Sequence, residues 1–121
     1  MNQPITRHET NARMSRAVLH NGIAYLAGVV AVNRSGDIKA QTQEVLARID
    51  ALLEQVGSHK NKLLTAQIWL KDITADFQGM NDVWDTWVAE AEAPARATCQ
   101  AQLATPDILV EIIVTAALCN Q

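Results

Sequence analysis

The stretch PARATCQAQLATPDILVEIIVTAAL, residues 94–118, reads as two apolar segments joined by a short polar turn. Each segment carries one unexpected ion. Arg96 opens the first, and Glu111 is the only charge in ILVEIIVTAAL, residues 108–118. Strand alternation sets Leu109, Glu111, Ile113 and Thr115 on one face and Val110, Ile112 and Val114 on the other. Glu111 then sits among aliphatic neighbours, where a lone carboxylate is expensive to desolvate unless its pKa rises. A carboxyl tuned that way holds a proton near neutral pH and passes it on. Arg96 stays charged, and its planar fork suits two-point binding of a carboxylate. Two explanations stay open. The ions pair with each other, or Glu111 ties to a neighbouring subunit. Otherwise they line a partly accessible pocket that binds a carboxylate and handles protons.

Working outward, strands are expected over 96–104 and 108–118, with ATPD, residues 104–107, as a tight turn between them. Pro94 ends the helix before them. In that helix Phe77, Met80, Val83, Trp84, Trp87 and Val88 mark one face, and Thr74 or Asp76 is the candidate cap. KLLTAQIWLKDI, residues 62–73, has a β-rich centre and reads as a strand. From Ala40 to Val56 the apolar residues fall at helical spacing, and Gly57 is a natural stop. NRSGD, residues 33–37, is a loop. SRAVLH and IAYLAGVVAV flank Asn21-Gly22, a dipeptide that tolerates the positive φ of a type I′ hairpin turn.

The predicted order is β-β-α-β-α-β-β. Two helices on one face of a mixed sheet make an α+β two-layer sandwich. The 121 residues suit a single domain over 1–121, with residues 1–14 outside the pattern. The second sheet face is also apolar, and oligomerisation is the simplest cover for it.

Composition excludes several classes. With 49% hydrophobic and 19% charged residues the chain is too apolar for disorder. A net charge of -3, with scattered Lys and Arg, lacks the basic stripe of a nucleic-acid binder. No apolar run reaches membrane length and the N-terminus has no apolar leader, so a cytoplasmic protein with reduced thiols is expected. Cys99 and Cys119 form no CxxC, and His8, His20 and His59 are scattered, so no metal site is expected. Cys99 reads as a small buried hydrophobe, the histidines as surface residues, and Trp84 and Trp87 as core.

Residues 94–118 resemble the C-terminal signature of the reactive intermediate deaminase family (RidA, also called YjgF; endoribonuclease L-PSP-like). That signature has Pro-x-Arg, a small or Cys residue two positions on, and a Val-Glu-Ile strand with Glu fifteen residues after the Arg. NGIAYLAGVVAV matches the family's glycine strand at Gly28, and the segment from Gln41 to Val88 matches its helix–strand–helix core, with Asn81 at the helix asparagine. The NDVWDTWV helix is similar to the short, tryptophan-containing branch. The resemblance implies a chorismate-mutase-like fold and a homotrimer with three inter-subunit clefts. It implies a hydrolase converting 2-imino or enamino acids, such as 2-aminoacrylate, to 2-oxo acids and ammonia, without metal or organic cofactor. Arg96 would grip the substrate carboxylate and Glu111 would orient or activate water. Gly28, Asn81 and Thr98 would line the cleft. Met14 stands where many members have tyrosine, and Ala27 where serine is usual. Both departures thin the polar lining. They leave room for a non-catalytic trimeric protein that binds a small carboxylate. A ribonuclease or translation-inhibitor role, also attached to the family, finds no basic or aromatic surface here.

Overall fold

The structure, a computed structural model, describes residues 4–119. Strands β1 (Thr6–Thr10), β2 (Ser15–His20) and β3 (Ile23–Leu26) come first. Helix α1 (Ile38–Gln55), strand β4 (Leu63–Leu70), helix α2 (Ile73–Trp87) and strands β5 (Ala95–Gln100) and β6 (Val110–Ala117) follow. They build a six-stranded mixed sheet in the order β1-β2-β3-β6-β4-β5, with two helices. The α+β sandwich is as expected, with one strand more. TRHET has no apolar alternation, and β1 is a polar edge strand, so periodicity could not reveal it.

Local chemistry explains the elements. Asn21 and Gly22 both have positive φ, 52° and 78°, which closes the β2–β3 hairpin. The Asp37 side chain caps α1 by accepting from the Ala40 N–H at 2.9 Å, so the helix begins two residues ahead of Ala40. Gly57, at φ 85°, lies just past its C-terminal end. Asp72, rather than Thr74 or Asp76, caps α2 by accepting from the Ala75 N–H. A cap needs extended backbone outside the helix, and both expected residues lie inside it. The helix stops at Trp87, ahead of Pro94, because Val88 is already extended and Ala91 has φ 62°.

The connection between the last two strands differs most from expectation. β5 and β6 are not neighbours: β4 lies between them, antiparallel to β6 and parallel to β5. Residues 101–109 therefore carry the chain past the end of β4, held by Ala101 N–H to Leu70 O and Lys71 N–H to Leu109 O. ATPD is one corner of this crossover, not a hairpin turn. β3 is also shorter than its apolar run. Pairing slips by one residue between Tyr25↔Thr115 and the isolated bridge Val29↔Ile112. The slip marks a bulge at Ala27 and Gly28.

The core fills the layer between sheet and helices. Alternate β6 residues Val110, Ile112, Val114 and Ala116 are buried there, against Val45, Leu46, Ile49 and Leu53 of α1. Each large aliphatic side chain so buried contributes about 1.5–3 kcal/mol. Gly79 allows the two helices close approach, since a Cβ there would fall 2.7 Å from Ile38 Cγ2. The polar residues Gln41, Thr42 and Ser58 are buried as well. Gln41 donates to Asp107 O at 2.9 Å and accepts from Leu109 N–H at 3.0 Å, tying the crossover to α1. The opposite sheet face carries half-buried Trp69, Glu111, Ile113 and Thr115, and Tyr25, which is 46% exposed.

Candidate functional site

Strand pairing decides which way each site residue faces. Arg96 lies opposite Ala66 and Thr98 opposite Ile68, both buried beneath the helices. Arg96 and Thr98 therefore belong to the helix side of edge strand β5. The Arg96 guanidinium donates through Nη1 to Asn81 Oδ1 at 2.8 Å, and its Cζ lies 5.4 Å from the centre of the Trp84 ring. Asn81 and Trp84 are three residues apart on α2 and share a face. The amide oxygen and the ring face both attract the cation, so the side chain is braced from two directions. Farther along, Gln100 Oε1 accepts from Ile73 N–H at 3.0 Å, binding β5 to the start of α2. Between these anchors the Thr98 hydroxyl is buried and has no hydrogen-bond partner among the described residues.

Glu111 lies opposite Trp69, on the other side of the sheet. It is half-buried, and burial pushes its carboxyl above the usual carboxylate range. Gly28, delivered by the bulge, lies directly against that carboxyl. The ion pairs among the described residues join His8 to Glu9, Arg34 to Asp107 and Lys39 to Asp82, and none uses Arg96 or Glu111.

The expected residues thus form two half-sites. Arg96, Asn81 and Thr98 gather on the helix side, while Glu111 and Gly28 gather on the open side. Two strand spacings, about 10 Å, and the thickness of the sheet separate them. Arg96 and Glu111 therefore do not pair within one chain. Cys99 lies opposite Trp69 in the open-face row of Glu111, and it is exposed, not buried. The small-hydrophobe expectation fails because β5 is an edge strand with its open side uncovered. Trp84 is 4% exposed and part of the core, as expected, but it is also the shelf beneath Arg96. The three-residue spacing from Asn81 was the available signal for that second role. Trp87 donates to Asp50 Oδ2 at 3.0 Å and joins the two helices.

No group of three or more His, Cys, Asp or Glu suited to a metal occurs among the described residues, and no described helix is long and apolar enough to cross a membrane. A surface cleft of about 480 Å³ lies at the far end of β5, between Lys71 and Pro106, and none of the expected residues lines it.

The family model for endoribonuclease L-PSP matches residues 4–118. The chain belongs to this YjgF/Rid family. Its relatives cover it almost completely. A RutC family protein of Haemophilus ducreyi is 44% identical over 117 residues, spanning 97% of this chain and 99% of that one. The RutC family protein YoaB of Escherichia coli is 45% identical over 114 residues, 94% and 98% of the two chains. Among solved structures, NMB1025 of Neisseria meningitidis, a YjgF family member, superposes with a TM-score of 0.95 at 41% identity over 100% of both chains. YyfA of Yersinia pestis, of the Rid family, gives 0.82 at 31% identity over 90% of each. The YjgF fold with its six-stranded sheet and two helices is therefore this chain's fold.

Proposed function

We propose that this YjgF/Rid chain is an enamine/imine deaminase-like hydrolase, converting 2-imino acids and their enamino tautomers to 2-oxo acids and ammonia. The observation that carries this is the state of Arg96. Its guanidinium is braced by Asn81 and Trp84 on an exposed strand edge, with no carboxylate among the described residues paired to it. A guanidinium held that way offers its remaining N–H donors to a planar carboxylate. Glu111 supplies the proton handling, since a carboxyl raised by burial exchanges protons closer to neutral pH than an ordinary glutamate.

The reaction balances without an electron carrier. Water oxygen bonds to C2 of the imine while the C=N π electrons move to nitrogen. Glu111 takes a proton from that water and returns one to nitrogen. The hydroxyl proton then passes to the amino nitrogen, the oxygen's electron pair closes the 2-oxo group as the C–N bond breaks, and ammonia leaves. The imine is already electrophilic, so this scheme calls on no metal or organic cofactor.

A site using both Arg96 and Glu111 takes them from different subunits, because one chain holds them on opposite sides of its sheet. A homotrimer supplies this arrangement: the β5 edge of one subunit meets the open face of the next. The half-buried Trp69 and Ile113 and the exposed Tyr25 gain cover in the same step. A small carboxylate in the cytoplasm is the intended partner, with no part for nucleic acid or membrane.

Met14 and Ala27, which replace a phenol and a hydroxyl, favour a second reading: a trimer that binds a small carboxylate without consuming it. A coupled assay separates the two. A serine/threonine dehydratase generates the imino acid in the presence of semicarbazide, and the readout is diversion from semicarbazone to 2-oxo acid. Strong diversion by wild type, lost in Arg96→Ala, supports the hydrolase. Binding of a 2-oxo acid by a folded trimer with no diversion supports the second reading.

A further inference from the structure

Glycine at position 28 calls for a reason, because the backbone there does not require one. Among the described glycines only Gly22 and Gly57 have positive φ, so the φ of Gly28 is not one that calls for glycine. What glycine provides is space. A Cβ on residue 28 would have three nearest neighbours, all atoms of Glu111: Oε2 at 2.0 Å, Cδ at 3.0 Å and Cγ at 3.2 Å. The first distance is far inside van der Waals contact, so the carboxyl and a side chain at position 28 cannot share this place. At Gly36 and Gly79 a Cβ would also come too close, 2.6 Å from Ala40 Cβ and 2.7 Å from Ile38 Cγ2, but against apolar groups. Gly28 differs in meeting a carboxyl.

None of the ion pairs among the described residues engages Glu111, and burial is the cause of its raised pKa. The carboxyl lies along the bulge, in the space a Cβ of residue 28 would take. The bulge itself is fixed independently, by the double hydrogen bond between Val29 and Ile112 on its far side and by Ala27 N–H to Arg16 O on its near side. Both anchors are main-chain groups, so a methyl at position 28 leaves them in place and acts on the side chain alone.

We propose that Gly28 is a positioning residue for Glu111, a seat whose missing side chain lets the carboxyl lie against the main chain and face the cleft. Its catalytic consequence rests on the deaminase reading; its structural content does not. Any side chain at 28 turns the Glu111 carboxyl away; the Arg96 of the same chain, on the other side of the sheet, is out of its reach.

The test is a double-mutant cycle read by thermal unfolding at fixed protein concentration. Gly28→Ala with Glu111 present should lower the melting temperature by about 5 °C, the size expected for a methyl forced into an occupied place in a domain of this length. In Glu111→Ala the same substitution should be neutral or slightly raise it, because alanine at a compatible φ restricts the unfolded chain. An equal loss in both backgrounds overturns the proposal. If Gly28→Ala alone does not fold, folding of the Gly28→Ala/Glu111→Ala protein supports it, and failure of both overturns it. In the imine assay, Gly28→Ala should lower kcat as Glu111→Gln does, with KM little changed, and the pair together should lose no more than Glu111→Gln alone. Multiplying losses overturn it. If wild type shows no turnover, the deaminase reading falls, and the unfolding cycle still decides what Gly28 does.

Discussion

Arg96 is a cation whose neighbours hold it without neutralising it. An amide oxygen and an indole face steady the guanidinium, and neither satisfies its charge. Replacing Arg96 with alanine should therefore leave the melting temperature nearly unchanged, since the residue is exposed. It should lower kcat/KM for imine hydrolysis by about 100-fold or more, the scale of a lost charge-assisted contact to substrate. A folded variant with full activity would sink the clamp. Glu111 behaves differently. Its raised folded-state pKa means the native chain holds this proton more tightly than the unfolded chain does. That contribution to stability is complete below the unfolded value and is lost as pH rises through the folded one. Glu111→Gln should thus raise stability relative to wild type at pH 7 and raise it less at pH 4. Chemical denaturation at the two pH values checks this, and the opposite order would show that ionised Glu111 is stabilised by a partner.

Gln41 ties together segments that no strand or helix joins. It is 1% exposed on α1, yet it reaches Asp107 and Leu109 in the crossover and Arg34 and Gly36 in the loop before its own helix. The crossover brings the chain from β5 past β4 to β6, so Gln41 secures the route by which Arg96 and Glu111 reach their separate faces. Gln41→Leu keeps the volume and takes from the part-buried Leu109 N–H and the Asp107 carbonyl their side-chain partner. A loss of about 3 kcal/mol is expected in urea denaturation, with faster amide exchange at Leu109. A neutral effect would mean that water replaces the glutamine.

One protomer is chemically incomplete if both ions act on one substrate. Its open face mixes Trp69, Tyr25, Ile113 and Glu111, and its β5 edge carries Ala95, Ala97 and Cys99 with unpaired main-chain groups. Sedimentation should give a trimer at micromolar concentration. Mixing Arg96→Ala with Glu111→Gln subunits, unfolding them and refolding them together should then restore part of the activity, because some clefts receive both native residues. Recovery absent from well-formed mixed trimers would place both residues in a single subunit's site.

The features legible in the chain are those that neighbours in sequence control. The stripes of α1 and α2, the Asn21-Gly22 turn, and the alternation that sets Glu111 apart from Val110 and Ile112 all follow from local periodicity and backbone preference. The matched positions from Gly28 to Glu111 identified the family from their order alone. The Asp72 cap and the polar strand β1 escape such reasoning, because a cap depends on where the helix axis starts and an edge strand depends on a partner's free hydrogen bonds. The side of the sheet that Arg96 faces is of the same kind. The same residues in a β5–β6 hairpin would place them on adjacent strands of one sheet. Pairing β5 with β4 instead puts a strand between them and turns Arg96 toward α2, because register follows the distant strand that offers its edge, and sequence neighbours do not reveal which strand that is.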